Sequence, residues 1–311
     1  MMDKVRVGVV GVGYLGRFHA LIYSRMADVE LVGVVDADPL RAAEVAAEAG
    51  CVVFTDAIAL ADAVDAVSVV VPTTAHLEVA TPLLRRGIHM LMEKPIAATV
   101  GEGAELVRLA DASGAILQIG HLERFNAGVM ALAQRITAPR YIEAQRMGGF
   151  VERATDVDVV SDLMIHDIDI ILSLVGSEIH NITAVGSPVL TPHIDIATAQ
   201  IEFVNGAVAN VVASRVSDKK MRRIRVFQPG MYLSLDFIDQ TIDIAEPRLV
   251  PGAERPEIAR QRIQVEPVKP LDCEIASFIA CVRDGHSPIV AGRVGLKALD
   301  VALQVKAKIR I

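Results

Sequence analysis

Two side chains of the kind that exchange protons near neutral pH stand four residues apart in this sequence. Asp162 and His166 are separated by three apolar residues, and on a helix such a pair shares one face. A neighbouring carboxylate favours the protonated imidazole and can fix its tautomer, which suits a general base. Two alternatives stay open: an ion pair on a helix surface, and a metal pair completed by Asp167 or Asp169. Because no third ligand has convincing spacing, we expect no metal.

A lysine that follows a predicted strand is the second candidate for chemistry. Lys94 lies in the tripeptide Glu93-Lys94-Pro95, directly after an apolar run at 89–92. The carboxyl ends of parallel strands form the ligand edge of a sheet, and a lysine there can stabilise the negative charge of an alkoxide. The Lys-Pro sequence also permits a cis peptide bond. The alternative is a lysine in an exposed loop with no role in a site.

A glycine-rich turn predicts the ligand that such an edge would hold. Gly11-Val12-Gly13-Tyr14-Leu15-Gly16 follows a buried strand at 5–10, and Asp36 ends the next one, about twenty residues further on. The glycines allow a tight turn and a close approach to a pyrophosphate, and Asp36 would accept hydrogen bonds from ribose hydroxyls. The acid favours NAD, whereas the nearby Arg41 could accept the extra phosphate of NADP, so we expect NAD and hold NADP as the less favoured cofactor.

Further polar residues are expected to face the same cleft. The remaining expected cofactor contacts are Thr73, His76 and Glu93, and the expected substrate contacts, besides Lys94, Asp162 and His166, are Arg124 and Asn126 at the junction of the two predicted domains. Residues at such a junction could instead hydrogen-bond the backbone of a hinge. The basic run at 219–225 is expected to be a solvated hairpin edge, with binding of an anionic substrate tail as the alternative.

The elements that must position these residues form an α/β protein. In the first part, 1–120, strands predicted at 5–10, 31–36, 51–54, 66–72, 89–92 and 116–119 alternate with alanine-rich helices, which indicates a doubly wound Rossmann sheet of parallel strands. The second part, 121–311, is predicted to be an α+β domain with a mostly antiparallel open sheet. Hairpins are expected at Asn205-Gly206 and Pro229-Gly230, and the stretch 246–270 is expected to be partly irregular.

Composition excludes several classes of protein. A formal net charge of −7 argues against a nucleic-acid partner, and no apolar segment reaches the length of a membrane span. Cys51, Cys273 and Cys281 are odd in number and show no paired spacing, as expected for reduced thiols. The sequence runs from Met1 directly into the first predicted strand, so we expect no signal peptide and a cytoplasmic location.

Taken together, these motifs resemble the Gfo/Idh/MocA oxidoreductase family over essentially the whole chain. The resemblance rests on the glycine turn with His19, on Asp36, on Glu93-Lys94-Pro95 and on Asp162 with His166. It implies that Lys94 is the family's active-site lysine, and that Asp162 and His166 are its DxxxH pair. It also implies an open sheet that often forms an oligomer interface, and hence a homodimer or homotetramer.

Two segments, 120–126 and 161–167, narrow the resemblance to the UDP-N-acetylglucosamine 3-dehydrogenase branch. That likeness implies NAD-dependent oxidation of the sugar's 3-hydroxyl to a ketone, ahead of a partner aminotransferase in lipid A synthesis. Either His166 or Lys94 could be the base. The alternatives are an inositol or other free polyol dehydrogenase and, in another class, a non-catalytic NAD-sensing regulator. An alcohol held between Lys94 and His166 at the nicotinamide is the geometry that the enzyme interpretation requires.

Overall fold

The computed structural model describes residues 4–151, 157–249, 251 and 255–310. The chain divides into two compact units. The first consists of Met1–Leu122 with Lys269–Leu299, and the second of Glu123–Val268 with Asp300–Ile311. Residues 1–3, on which the expectation about a signal peptide depends, lie outside the described residues.

The first unit contains the predicted parallel sheet. Its strands are β1 (Val5–Val10), β2 (Val29–Val35), β3 (Val52–Val53), β4 (Ala66–Val69), β5 (His89–Glu93) and β6 (Leu117–Gly120). They are ordered β3-β2-β1-β4-β5-β6, and every pair is parallel. This is the strand order of a dinucleotide-binding Rossmann fold, so the predicted fold class is confirmed for this unit.

Helices follow the strands, as the alternating pattern predicts. They are α1 (Tyr14–Tyr23), α2 (Pro39–Ala49), α3 (Ala57–Ala61), α4 (His76–Arg85) and α5 (Val100–Ser113), and this unit also contains α8 (Pro270–Asp284) and the first part of α9 (Gly292–Lys308). All four residues of β4 are buried, as expected for a central strand covered on both faces. The apolar cluster of Val7, Val9 and Leu91 packs against Ile275 and Phe278 of α8.

The second unit is built on an eight-stranded sheet. Its strands are β7 (Tyr141–Met147), β8 (Ile179–Ser187), β9 (Ile196–Phe203), β10 (Val208–Ser214), β11 (Met221–Gln228), β12 (Met231–Asp236), β13 (Thr241–Arg248) and β14 (Glu257–Gln264). The order is β14-β13-β12-β11-β7-β10-β9-β8, and only β7 with β10 is parallel among these described strands. Its helices are α6 (Ala127–Ala133), α7 (Ile165–Val175) and the end of α9. The mostly antiparallel sheet is confirmed.

Two features of this sheet differ from the sequence-based expectation. The stretch 246–270 was expected to be partly irregular, yet 257–264 forms β14, which pairs with β13 from Thr241 to Arg248. The strand β7 was not predicted, because the charged residue Arg146 stands at one of its buried positions and interrupts the apolar alternation. Both expected hairpins are present, with Gly206 at φ 81° and Gly230 at φ 73° in the turns. Across the described part of the chain, no helix is long and apolar enough to cross a membrane.

Candidate functional site

The glycine turn of the first unit is shaped by steric need at two of its three glycines. Gly11 has φ 84°, a conformation that favours glycine, and a Cβ built on Gly16 would lie 1.9 Å from the carbonyl oxygen of Gly11. Around Gly13, by contrast, a Cβ would meet no atom within 4 Å. Packing therefore explains Gly11 and Gly16, and the open space at Gly13 is where a pyrophosphate could approach the backbone.

The start of α1 suits an anion for a second reason. Gly13, its N-cap, makes no side-chain capping hydrogen bond, and the first turn of α1 contains no acidic residue. The neighbouring helix α2 differs, because Asp38 accepts hydrogen bonds from Leu40 N and Arg41 N. The first N–H groups of α1 thus lack the side-chain acceptor that α2 has, and the helix dipole favours negative charge there.

Asp36 lies beside the turn, as predicted. Its Oδ2 accepts the N–H of Val12 at 2.7 Å and its Oδ1 accepts that of Asp38 at 2.9 Å, while the carboxylate stays half-buried. Arg41 reaches back to the same turn, where its Nε donates to Val12 O at 2.9 Å. A carboxylate with lone pairs for ribose hydroxyls, beside an arginine already bound to backbone, fits NAD better than NADP.

His76 is held inside the first unit. The ring is 1% exposed, with Nδ1 3.2 Å from Ile96 O and Nε2 3.1 Å from Val71 O, and burial lowers its pKa. Its side chain links two backbone segments, which is a structural role. Thr73 opens a short 3-10 turn, Thr73–Ala75, just before α4 and is half-buried.

Lys94 follows directly on β5, at the carboxyl edge of the parallel sheet. It is half-buried, its N–H donates to Glu93 Oε2 at 3.3 Å, and the Lys94–Pro95 peptide bond is cis. A Cβ on Gly120, at the end of β6, would lie 2.9 Å from Glu93 Oε2, so the Glu93 side chain occupies the space above that glycine. The position predicted for Lys94 relative to the sheet is the one found.

Behind Glu93 lies a buried chain of polar side chains. His19 Nε2 is 3.3 Å from Glu93 Oε1, His19 Nδ1 is 3.0 Å from Ser68 Oγ, and Tyr23 Oη is 2.8 Å from Ser68 Oγ. His19 is fully buried, so its ring supports Glu93 from within the unit. Glu274 of α8 is also fully buried; burial and the charge of Glu93 raise its pKa well above the ordinary value.

The acid and imidazole of the second unit lie where the helix changes its pitch. Val160–Met164 forms a π-helical turn, so Asp162 lies in that turn, and His166 is the second residue of α7. The segment from Asp162 to His166, which was expected to be helical, is therefore π-helical over its first three residues. Asp158 anchors the turn by accepting the N–H groups of Val160 and Ser161 at 3.0 and 2.9 Å. Asp162 and His166 are both half-exposed, and π turns are frequent at functional sites.

The two other carboxylates of this helix form ion pairs. Asp167 accepts a bidentate pair from Arg146, with its Oδ2 3.0 Å from Nε and its Oδ1 2.9 Å from Nη2. Arg146 is 4% exposed and also donates to Glu123 Oε1 at 2.8 Å. Asp169 lies 3.5 Å from Arg124 Nη1. In the alternative interpretation Asp167 or Asp169 would bind a metal, whereas here each carboxylate is paired with an arginine.

Asn126 contacts backbone, as the alternative interpretation expects, whereas Arg124 contacts a carboxylate. Arg124 is directed at buried Asp169, and the Asn126 side chain accepts the N–H of Gly128 at 2.9 Å as the N-cap of α6. Asn126 also donates to Glu123 Oε2 at 3.3 Å. The roles expected for these residues in holding a phosphate and a sugar hydroxyl therefore remain hypotheses, and the observed contacts are structural.

A cavity of about 400 Å³ in the second unit brings Asp162 together with basic side chains that sequence analysis placed elsewhere. It is lined by Arg146, Met147, Gly148, Gly149, Phe150, Val151, Asp162, Leu163, Ser214, Arg215, Lys220 and Arg222. Lys220 and Arg222 belong to the basic run that was expected to be a solvated edge. Side chains alternate between the two faces of a strand, so Arg222 lies on the face opposite to Arg223 and Arg225. Sequence alone could show this only if the bounds of the strand and its buried face were known.

Similarity to known proteins agrees with this architecture. Residues 5–121 match the NAD-binding Rossmann fold of the Gfo/Idh/MocA oxidoreductase family, and residues 129–228 match the family's C-terminal domain. The chain is 40% identical to UDP-N-acetylglucosamine 3-dehydrogenase of Acidithiobacillus ferrooxidans, over 99% of this chain and 98% of that one. A solved structure of that enzyme superimposes with a TM-score of 0.92, at 39% identity over 99% and 98% of the two chains. Inositol 2-dehydrogenase of Rhizobium meliloti is 29% identical over 96% and 94% of the two chains. The chain therefore belongs to the Gfo/Idh/MocA family of oxidoreductases, and its first unit is the family's NAD-binding domain.

Proposed function

We propose that this enzyme is an NAD-dependent dehydrogenase that oxidises the 3-hydroxyl of UDP-N-acetylglucosamine to a ketone. The observation that carries the proposal is the full-length relative of that activity at 40% identity, and the presence of Lys94, Asp162 and His166 in the sequence supports it. The inositol 2-dehydrogenase at 29% identity favours a free polyol as the second candidate substrate.

The first unit binds the dinucleotide. Its glycine turn leaves room for a pyrophosphate at Gly13. Asp36, beside the turn, accepts hydrogen bonds from the ribose hydroxyls. NAD, when bound, supplies the hydride acceptor at the carboxyl edge of the sheet. Holding both reactants in place removes much of the entropic cost of bringing them together.

The remaining chemistry belongs to three side chains. His166 takes the proton of the hydroxyl as the hydride leaves its carbon, and Asp162 stabilises the resulting imidazolium. Lys94 stabilises negative charge on the alcohol oxygen as it develops. The rival assignment makes Lys94 the base and His166 its hydrogen-bonding partner, and the two assignments differ in which variant loses the pH dependence of turnover.

The direct test is a screen of UDP-sugars, inositols and free hexoses with NAD, followed through NADH absorbance, with a reagent that traps the ketone. We expect NADH with UDP-N-acetylglucosamine and competitive inhibition by UDP alone. NADH formed with inositols, without inhibition by UDP, would replace the proposal by the polyol alternative. An NAD-binding protein that oxidises none of these compounds would instead be a sensor.

The chemistry of the product suggests which class of enzyme acts next. A 3-keto nucleotide sugar is a substrate for an aminotransferase, and we propose that such an enzyme consumes it in a cytoplasmic route to lipid A. We also propose that the open face of the eight-stranded sheet joins copies of this chain into a dimer or tetramer. Light scattering of the purified enzyme tests the assembly, and a coupled assay with glutamate and a candidate aminotransferase tests the next step.

A further inference from the structure

The π-helical turn that carries Asp162 is held at its start by one carboxylate. Oδ1 of Asp158 accepts the N–H groups of Val160 and Ser161 at 3.0 and 2.9 Å, and its Oδ2 accepts the hydroxyl of Ser161 at 3.3 Å. The backbone oxygen of Asp158 also accepts the N–H of Asp162, at 3.1 Å. One residue therefore fixes three consecutive residues of the turn, and the last of them is the acid assigned to the reaction.

Asp158 has an ionic partner that comes from the last helix. Nζ of Lys306, in the final turn of α9, lies 2.7 Å from Asp158 Oδ2 and 3.4 Å from Ser161 Oγ. Burial would raise the pKa of Asp158, but the contact with Lys306 and the backbone N–H of Ser161 hold it below its ordinary value. The carboxylate that caps the turn is therefore kept in its charged form by a side chain distant in sequence.

The backbone on either side of Asp158 is held by other residues. The carbonyl oxygen of Val157 accepts a hydrogen bond from Nη2 of Arg215. The N–H of Val159 donates to Ile194 O at 3.0 Å, and the Val159 side chain is fully buried. These contacts fix the path of the chain into the turn, so the ionic partner of Asp158 can be changed without removing the backbone frame.

The pitch of the turn sets the relation between the acid and the imidazole. A π turn forms hydrogen bonds over five residues rather than four, and such turns occur mostly singly within α-helices. Val160 and Met164, at its two ends, are fully buried, whereas the three residues between them are half-exposed. A change to α-helical hydrogen bonding would rotate Asp162 about the helix axis relative to His166, which lies in the regular helix α7. The orientation of Asp162 therefore depends on contacts that preserve the π turn.

We propose that Lys306 is a positioning residue, which acts through Asp158 to hold the π turn and hence the orientation of Asp162 toward His166. The proposal rests on the proposed function only for the roles of that acid and that imidazole, and it applies to whichever alcohol the enzyme oxidises. Because Lys306 bonds to the start of the turn, its loss should alter the rate of the reaction rather than the binding of substrate or cofactor.

The first experiment compares steady-state kinetics of Lys306→Met and Lys306→Arg in the full-length enzyme. The matched control is Lys308→Met, which changes an exposed lysine in the same turn of α9. We expect Lys306→Met to lower kcat about 10- to 100-fold, since displacing a catalytic group by about 1 Å can cost 100-fold in rate. KM and NAD affinity should stay near the parental values. Lys306→Arg should retain most of the activity because it keeps the charge, and Lys308→Met should match the parent.

Two further measurements separate positioning from stability. The side chain of Lys306 is 35% exposed, and such ion pairs contribute little to stability, so Lys306→Met should lower the melting temperature by no more than about 4 °C. The ring resonances of His166, in histidine-labelled enzyme and assigned by comparison with His166→Ala, provide a readout that needs no substrate. They should shift in Lys306→Met and keep their parental positions in Lys308→Met.

Asp158→Asn tests whether Lys306 acts through Asp158. It keeps an oxygen that can accept the N–H groups of the turn and removes the charge that Lys306 pairs with. Asp158→Asn should lower kcat about as much as Lys306→Met, and the double variant should fall no further. Losses that multiply in the double variant, or parental kcat and parental His166 resonances in Lys306→Met, would overturn the proposal. A screen in which no alcohol is oxidised would contradict the proposed function alone, because the His166 resonances still report the positioning.

Discussion

Two alanine substitutions in the glycine turn should have different effects: Gly16→Ala should lower stability, and Gly13→Ala should weaken NAD binding. In Gly16→Ala the new Cβ would lie 1.9 Å from Gly11 O, where about 3.0 Å is the minimum, so backbone must move by more than 1 Å. Forced backbone shifts of this kind cost about 1–3 kcal/mol, or roughly 2–4 °C of melting temperature for each kcal/mol. In Gly13→Ala the methyl meets only open space, and the fold should lose at most the roughly 1 kcal/mol of a poorer N-cap.

NAD affinity, unlike stability, should be weakened directly by the substitution at Gly13. The methyl of Gly13→Ala would occupy the approach of the pyrophosphate, and loss of one charge-assisted hydrogen bond there weakens binding by about 10- to 150-fold. Calorimetry with NAD and thermal melting measure the two effects separately. Gly101→Ala, in the first turn of α5 and also without an atom within 4 Å, is the matched control and should leave NAD affinity unchanged. A Gly13→Ala variant with parental NAD affinity, or a Gly16→Ala variant with parental melting, would refute the reasoning.

Three further substitutions test the second unit. His166→Ala should lower kcat about 100- to 10,000-fold with NAD affinity little changed, as steady-state kinetics and calorimetry would show, and near-parental turnover would remove His166 from the mechanism. Arg146→Met leaves Asp167 buried without its partner and should cost about 3–5 kcal/mol in denaturant unfolding. Burial raises the pKa of Asp195, but backbone N–H donors outweigh it and lower the pKa to about 2. Protonation below pH 4 therefore opposes folding, and melting temperature should fall more steeply with acid in the parent than in Asp195→Asn.

Local patterns predict the first unit well because its central strands β1 and β4 are largely continuous buried runs. The β-branched residues of β1 and β4 need no partner in sequence to be recognised, and Asn205-Gly206 encodes its hairpin within two residues. The strand β7 depends on neighbours far along the chain, β10 and β11, whereas β14 pairs with β13, which directly precedes it. All but one of the residues of β14 are exposed, so its pairing with β13 follows from backbone hydrogen bonds that leave no apolar signal.

The candidate site divides in the same manner. Asp36 and Lys94 could be placed from sequence because each follows directly on a strand whose carboxyl end is the ligand edge. Arg124 could not, since its acceptor, Asp169, is 45 residues away. Arg222 and Arg225 lie on opposite faces of β11, and this difference cannot be seen when the basic run is considered as a single segment. Ion pairs such as that of Arg146 with Asp167 form between residues distant in sequence, so no local pattern indicates them.

The fully buried carboxyl of Glu274 has a thermodynamic consequence for the whole first unit. Burial, and then the charge of Glu93, raise the pKa of Glu274, so the folded chain retains a proton that the unfolded chain gives up. Denaturation at a pH between the ordinary carboxyl pKa and the raised pKa should therefore release this proton to the buffer, and stability should decline as pH rises through that range. Calorimetric unfolding enthalpies compared between buffers of different ionisation heat count that proton, and Glu274→Gln should release one fewer. Equal release in the two proteins would mean that Glu274 is ionised in the native state.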